Sequence, residues 1–127
     1  MIKFRAWDKE FKIMSEVTRI DARAEIVELS DREPYLQDFS QVELMQSTGL
    51  FDKKGVEIFE GDIISTYTYN LVIQKHNLLG FYVEVGEKRD HFAETVDIEY
   101  LDLFAKDFGV AVEVLGNIYE NPELLEE

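Results

Sequence analysis

The stretch Leu44-Met45-Gln46-Ser47-Thr48-Gly49-Leu50-Phe51-Asp52-Lys53-Lys54-Gly55-Val56-Glu57-Ile58-Phe59-Glu60-Gly61-Asp62-Ile63-Ile64 decides the fold class. It reads as strand, tight turn, strand, second turn and third strand. Asp52-Lys53-Lys54-Gly55 has hairpin chemistry: an Asp side chain can bond back to the backbone, and Gly supplies positive φ at the last position. Glu60-Gly61-Asp62 turns the chain again, and Asp62 is expected to bond backbone amides there. Gly49, Gly55 and Gly61 fall at six-residue intervals. Each is expected where a short strand must turn.

Working outward, residues 42–46 and 56–59 are short strands, and 63–69 is a third with both faces partly apolar. Residues 71–75 and 81–85 read as two further strands joined around Asn77 and Gly80, with an exposed turn at 86–90. Ile98, Leu101, Leu103 and Phe104 fit a short helix with acids on its outer face, with a strand as the alternative. Residues 110–115 read as a buried final strand. Asn121 is placed to cap a last helical turn with Pro122 at its first position. Towards the N-terminus, Ile2, Phe4 and Ala6 alternate with Lys3 and Arg5, the period of a half-buried strand. A polar turn at Asp8-Lys9-Glu10 lets 11–14 return as a second arm. Residues 17–29 are open between two forms. Ala22, Ile26 and Leu29 have helical spacing, as do Ile20, Ala24 and Val27, but 17–20 and 26–29 have strand composition. Residues 30–40, with Pro34, are the most loop-like segment. Many short strands spaced by turns argue a small barrel.

A chain of 127 residues, 46% hydrophobic with nine Phe and six Tyr, can bury a core and fits one domain or a barrel with a subdomain. It has no cysteine, hence neither disulfides nor thiolate metal sites. No apolar run approaches the ~20 residues needed to span a bilayer, and no leader pattern opens the chain. The formal charge is −14, unevenly spread. Residues 1–32 balance, 33–89 carry −4, and 90–127 carry −10 with Lys106 as their one base. Phosphate recognition rests on Lys and Arg, so direct nucleic-acid binding is disfavoured, with Lys3, Arg5, Lys9 and Lys12 as its remaining candidates. An acidic surface suits a basic protein partner, mimicry of DNA included.

Every catalytic pattern fails on its own terms. His76 and His91 have no Ser or Asp in triad arrangement, and two histidines without cysteine make a poor zinc site. Counted back from Gly55, a calcium loop would need Leu50, Asp52 and Lys54 as ligands, and lysine cannot serve. No Gly-Lys-Ser/Thr or G-x-G-x-x-G accompanies the glycines. A metal enzyme would need carboxylates such as Glu57, Glu60 and Asp62 to hold its ion. Tyr67, Tyr69, Phe81 and Tyr82 are expected to divide between core and an interface.

The central stretch closely resembles the core motif of the YopX family, small proteins encoded by bacteriophages and prophages of low-GC Gram-positive bacteria. The opening Met1-Ile2-Lys3-Phe4-Arg5-Ala6-Trp7-Asp8-Lys9 resembles the family's start. Val114-Leu115-Gly116-Asn117-Ile118-Tyr119-Glu120-Asn121-Pro122-Glu123-Leu124-Leu125 resembles its close. The resemblance favours two strands in 17–29 and implies an SH3-like barrel over roughly residues 40–120. The expected organisation is an N-terminal β-hairpin subdomain and loop over 1–39, then an SH3-like barrel with a C-terminal tail over 40–127. The motif residues are Gly49, Asp52, Gly55, Glu60, Gly61, Asp62, Gly116, Asn117, Tyr119, Asn121 and Pro122. Asn117 and Tyr119 either present an amide and a phenol at an edge or pack the tail. The expected function is a non-enzymatic, cofactor-free module of the bacterial cytoplasm. It would self-associate or bind a protein, with Asp97, Glu99 and Asp102 as candidate contacts. The alternatives are an acidic DNA mimic and a carboxylate–metal enzyme.

Overall fold

The computed structural model describes residues 3–65, 70–76, 80–85, 97–100 and 112–125. The described secondary structure is twelve strands and two short 3-10 turns: β1 Phe4–Asp8, β2 Ile13–Asp21, β3 Ile26–Asp31, β4 Glu33–Asp38, β5 Val42–Phe51, β6 Glu57–Phe59, β7 Asp62–Ser65, β8 Asn70–Val72, β9 Gln74–His76, β10 Gly80–Val85, β11 Asp97–Tyr100 and β12 Glu113–Asn117, with the turns at Phe39–Gln41 and Pro122–Leu125. The sheet orders are β4-β3-β2-β1-β5-β6, β11-β10-β9 and β12-β7-β8, and the registered pairs are antiparallel. The protein is mainly β, and among the described residues there is no α-helix and no closed barrel. The chain divides into two compact units, Met1–Ser47 and Thr48–Glu127.

In the first unit, residues 17–29 are two strands. The helical spacing loses because Val17, Val27 and Leu29 are needed together on one sheet face over Ala6 and Val42. The expected loop at 30–40 is corrected: Glu33–Asp38 is strand β4, with Pro34 opposite Ser30. Proline is tolerated there because β4 is an edge strand, where a missing N–H costs no ladder bond. Asp8 on β1 and Tyr35 and Gln37 on β4 are hydrogen-bonded although two strands lie between them. A flat sheet would hold β1 and β4 about 14 Å apart, so the four strands β1 to β4 curl until β4 reaches Asp8 on β1. Three tight turns of this unit put non-glycine residues in the left-handed region: Lys12 (φ 60°), Glu25 (φ 57°) and Arg32 (φ 70°). That conformation costs an L-residue roughly 1 kcal/mol. Lys12→Gly is therefore expected to stabilise by up to about 0.5 kcal/mol in urea titration, net of glycine's larger unfolded entropy. A loss of stability would mean that Lys12 makes a compensating contact.

In the second unit, Ile58, Ile64, Ile73, Phe81, Val83 and Val112 form the core. The expected strand 71–75 is two strands in different sheets, hinged at Ile73. Ile73 is fully buried; its N–H donates to Asp62 O (2.9 Å) and its O accepts from Gly61 N–H (2.8 Å). Gly49 is also corrected. It lies inside β5 with φ +79°, not at a turn. Thr48 repairs the distorted ladder: its hydroxyl donates to Ile58 O (2.7 Å) and accepts from Leu50 N–H (3.1 Å). At Ile98 the helix gives way to the strand alternative, since Asp97–Tyr100 pairs with β10 as strand β11. Leu101, Leu103 and Phe104 lie outside the described residues, as do Tyr67, Tyr69 and the turn at 86–90.

Candidate functional site

Two groups of buried polar side chains qualify as candidates. The first is the central and C-terminal motif. Asp52 is 5% exposed, and both carboxylate oxygens are occupied. Oδ1 accepts from Lys54 N–H (2.9 Å) and Val56 N–H (2.8 Å), and Oδ2 from Val114 N–H (2.9 Å). Gly55 (φ +83°) completes the turn by donating to Asp52 O at 3.0 Å. Burial pushes the Asp52 carboxyl up, but the N–H groups of Val114, Val56 and Lys54 and the Lys54 ammonium outweigh it, so its pKa is lowered. Lys54 Nζ pairs with Glu113 at 2.7 Å and Lys53 Nζ at 3.7 Å, tying the hairpin tip to β12. Asp62, buried at 1% exposure, accepts Phe59 N–H on Oδ2 (2.8 Å).

Asn117 repeats this pattern at the end of β12. Its Oδ1 accepts from Tyr119 N–H (3.0 Å) and Glu120 N–H (2.8 Å), and its Nδ2 donates to Glu120 Oε1 (2.8 Å). It is buried, so it shapes the turn and is not presented at an edge. Asn121 does not cap the Pro122–Leu125 turn with its side chain. Its Oδ1 accepts Asn117 N–H (3.2 Å), and its carbonyl accepts Leu124 N–H (3.1 Å). Gly116 is required by this arrangement, because an added Cβ would overlap the Oδ1, Cγ and Cβ of Asn121. Gly116→Ala is expected to cost about 2 kcal/mol in chemical denaturation. An unchanged midpoint would show that the 117–121 turn gives way freely.

The second group lies in the first unit and is not foreseen by the sequence reading. Asp8 has no exposed surface. Its Oδ1 accepts from Glu10 N–H (2.9 Å) and Phe11 N–H (3.0 Å), and its Oδ2 accepts the Tyr35 hydroxyl (2.8 Å). Gln37 Nε2 lies 3.2 and 3.1 Å from the two carboxylate oxygens and 2.9 Å from Glu10 Oε1. Ser15 Oγ is 3.4 Å from the Tyr35 hydroxyl, and the Phe11 ring stands edge-on to Tyr35. Burial raises the Asp8 carboxyl, but bonds from Phe11, Tyr35, Gln37 and Glu10 together bring it below its ordinary value. Burial raises the Tyr35 phenol; Ser15 opposes this and Asp8 adds to it, leaving the phenol raised. Asp8 thus stays a carboxylate and Tyr35 a phenol at neutral pH. The bonds among Asp8, Tyr35 and Gln37 hold the curled sheet together.

The remaining candidates are scattered. Gly49, Glu60, Gly61, Tyr119 and Pro122 lie along β5 and in the turns before β7 and after β12. Among the described residues, no three of His, Asp and Glu converge as metal ligands, so Glu57, Glu60 and Asp62 do not form a set. His76 sits on β9, while His91 lies outside the described residues. Asp97 and Glu99 are on β11; Asp102 lies outside. Phe81 is core, and Tyr82 is half-buried with its hydroxyl 3.2 Å from Gln74 Oε1.

The sequence model of the family described as YopX protein matches residues 3–126. The chain belongs to the YopX family. It is also similar to the crystal structure of protein EF1440 from Enterococcus faecalis, with 30% identity, 99% of each chain covered and a TM-score of 0.53. A search of curated proteins finds no match. Within the YopX motif of this chain, Asp52, Asp62, Asn117 and Asn121 shape turns and strand ends. The side-chain oxygens of those four accept from backbone N–H groups of the fold.

Proposed function

We propose that this YopX protein is a phage-encoded, non-enzymatic accessory module that self-associates or binds another protein in the bacterial cytoplasm. One observation carries the reading. The motif side chains with the most chemistry, Asp52, Asp62 and Asn117, spend their oxygens on backbone N–H groups. A motif used this way specifies a scaffold, and we read such a scaffold as one that acts through its surface. Light scattering on the intact chain and affinity capture from host lysate test it together. A monomer at every concentration that retains no partner would sink the proposal. So would catalytic turnover that depends on Asp8 or Tyr35.

The formal charge of −14 favours a second reading, an acidic mimic of DNA towards a basic nucleic-acid-binding protein. Reversing Asp97, Glu99 and Asp102 to Lys should then abolish capture of such a protein. Retention by the reversed chain would remove the mimic and leave the module. A carboxylate–metal enzyme would have to bind Mg²⁺, Mn²⁺ or Ca²⁺, which calorimetry detects directly.

A further inference from the structure

We infer that the outer edge of β4 is the surface through which two copies of this chain join, their β4 strands pairing antiparallel about Leu36. This rests on the self-associating reading above and gives it a location. β4 ends its sheet order on one side, and its bonding phase is fixed. Phe39 N–H donates to Glu25 O at 2.9 Å, and Asp38 stands opposite Ile26. Phe39, Gln37 and Tyr35 therefore turn their backbone groups towards β3. Bonded and non-bonded pairs alternate along an antiparallel ladder, so Pro34, Leu36 and Asp38 direct theirs away. Pro34 agrees with this phase, because a proline nitrogen on an edge strand faces outward.

The middle of this edge is Leu36, with an outward amide, an outward carbonyl and a side chain that is 54% exposed. Edges guarded against pairing carry a bulge, lysine or proline where a new strand would dock. Here the register from Asp31 to Asp38 is unbroken, and the proline lies two residues from the centre. A two-fold axis at Leu36 sets the two Leu36 residues opposite each other, Tyr35 opposite Gln37, and Pro34 opposite Asp38. Each Leu36 N–H then reaches the other copy's Leu36 carbonyl, and each Asp38 N–H reaches the other copy's Pro34 carbonyl. Pro34 returns no bond, so the ladder stops there with the facing carbonyl in water.

Charge also fits a second copy. Glu33 falls opposite Phe39 and Asp38 opposite Pro34, so no acid meets an acid. Arg32, at the exposed hairpin tip just before β4, is the base nearest in sequence to the docking edge and carries a long side chain that can extend towards the other copy's Asp38. A self-complementary patch of this kind closes on itself as a dimer.

Light scattering on the full chain, with Leu36→Pro alongside, tests the edge. The expected result is a dimer, or a multiple of one, that falls to half its mass in Leu36→Pro. The Leu36 N–H bonds nothing within its own sheet, so the variant should keep the parent circular dichroism spectrum. Arg32→Glu and Asp38→Lys provide an independent arm. Each alone should raise the dimer Kd about tenfold, and the double variant should restore it. An assembly whose mass and Kd ignore all of these variants would overturn the β4 edge and leave self-association standing. A wild-type monomer at every concentration would overturn both.

Discussion

Asp52→Ala is expected to lower the unfolding free energy by about 4 kcal/mol at neutral pH. The substitution leaves the N–H groups of Lys54, Val56 and Val114 without their carboxylate, in a place where the parent residue is 5% exposed. A hydrogen bond to a charged group is worth roughly 1.5–3 kcal/mol, and orphaned donors add a desolvation penalty. Partial hydration of the exposed hairpin tip brings the sum down. Asp52→Asn keeps an acceptor for the Lys54 and Val56 amides but offers an N–H to Val114, so about half the loss is expected. The pH dependence has a definite sign. The folded pKa lies below the ordinary 3.8, so this stabilisation is complete above about pH 4 and is lost as pH falls through the lowered folded value. The gap between guanidinium titrations of parent and Asp52→Ala should therefore narrow as pH falls below about 4. An equal gap at pH 7 and pH 3 would show that Asp52 acts through packing and not through its charge.

Asp8→Ala should cost about 3 kcal/mol, concentrated in the first unit. It releases the Glu10 and Phe11 amides, the Tyr35 hydroxyl and the Gln37 amide together. The apolar core of that unit is small, with Ala6, Val27, Leu29 and Val42 as its buried members. At roughly 1.5–3 kcal/mol for each buried Val or Leu, a polar latch of this size is a large share of what holds the curl. A specific readout accompanies the loss. Asp8 is one of the causes raising the Tyr35 phenol, so ultraviolet titration should place Tyr35 nearer its ordinary pKa in Asp8→Ala. A Tyr35 titration that does not move would mean that the hydroxyl is held by other groups.

The sequence revealed strands wherever one side of the chain is apolar and turn chemistry is local. The Asp52 hairpin and the Gly61 turn are legible because Asp and Gly at those spacings have few other uses. Four features were not legible. β4 hides because its alternation is carried by Tyr35 and Gln37, a phenol and an amide whose burial depends on Asp8, 27 and 29 residues away. The break at Ile73 hides because an apolar residue looks the same whether a strand continues or changes sheets. Gly49 reads as a turn because a positive φ inside a strand needs Thr48 to repair the ladder, and nothing local signals that bond. The Asp8 group was missed for the same reason as β4, since Asp8-Lys9-Glu10 taken alone is an ordinary polar turn.

The clamp around Asn117 has a consequence for how the protein ages. Asparagine deamidates when the amide nitrogen of the next residue attacks its side-chain carbonyl carbon and closes a succinimide ring. At Asn117 that nitrogen belongs to β-branched Ile118 and is engaged with Gly61 O at 3.0 Å, while Oδ1 is held by two other N–H groups. At Asn121 the following residue is Pro122, whose nitrogen has no proton to lose. Both motif amides are therefore shielded from the commonest spontaneous lesion of asparagine, one by its bonding and one by its neighbour. The turn that closes the fold should outlast exposed asparagines elsewhere on storage, with isoaspartate appearing there last.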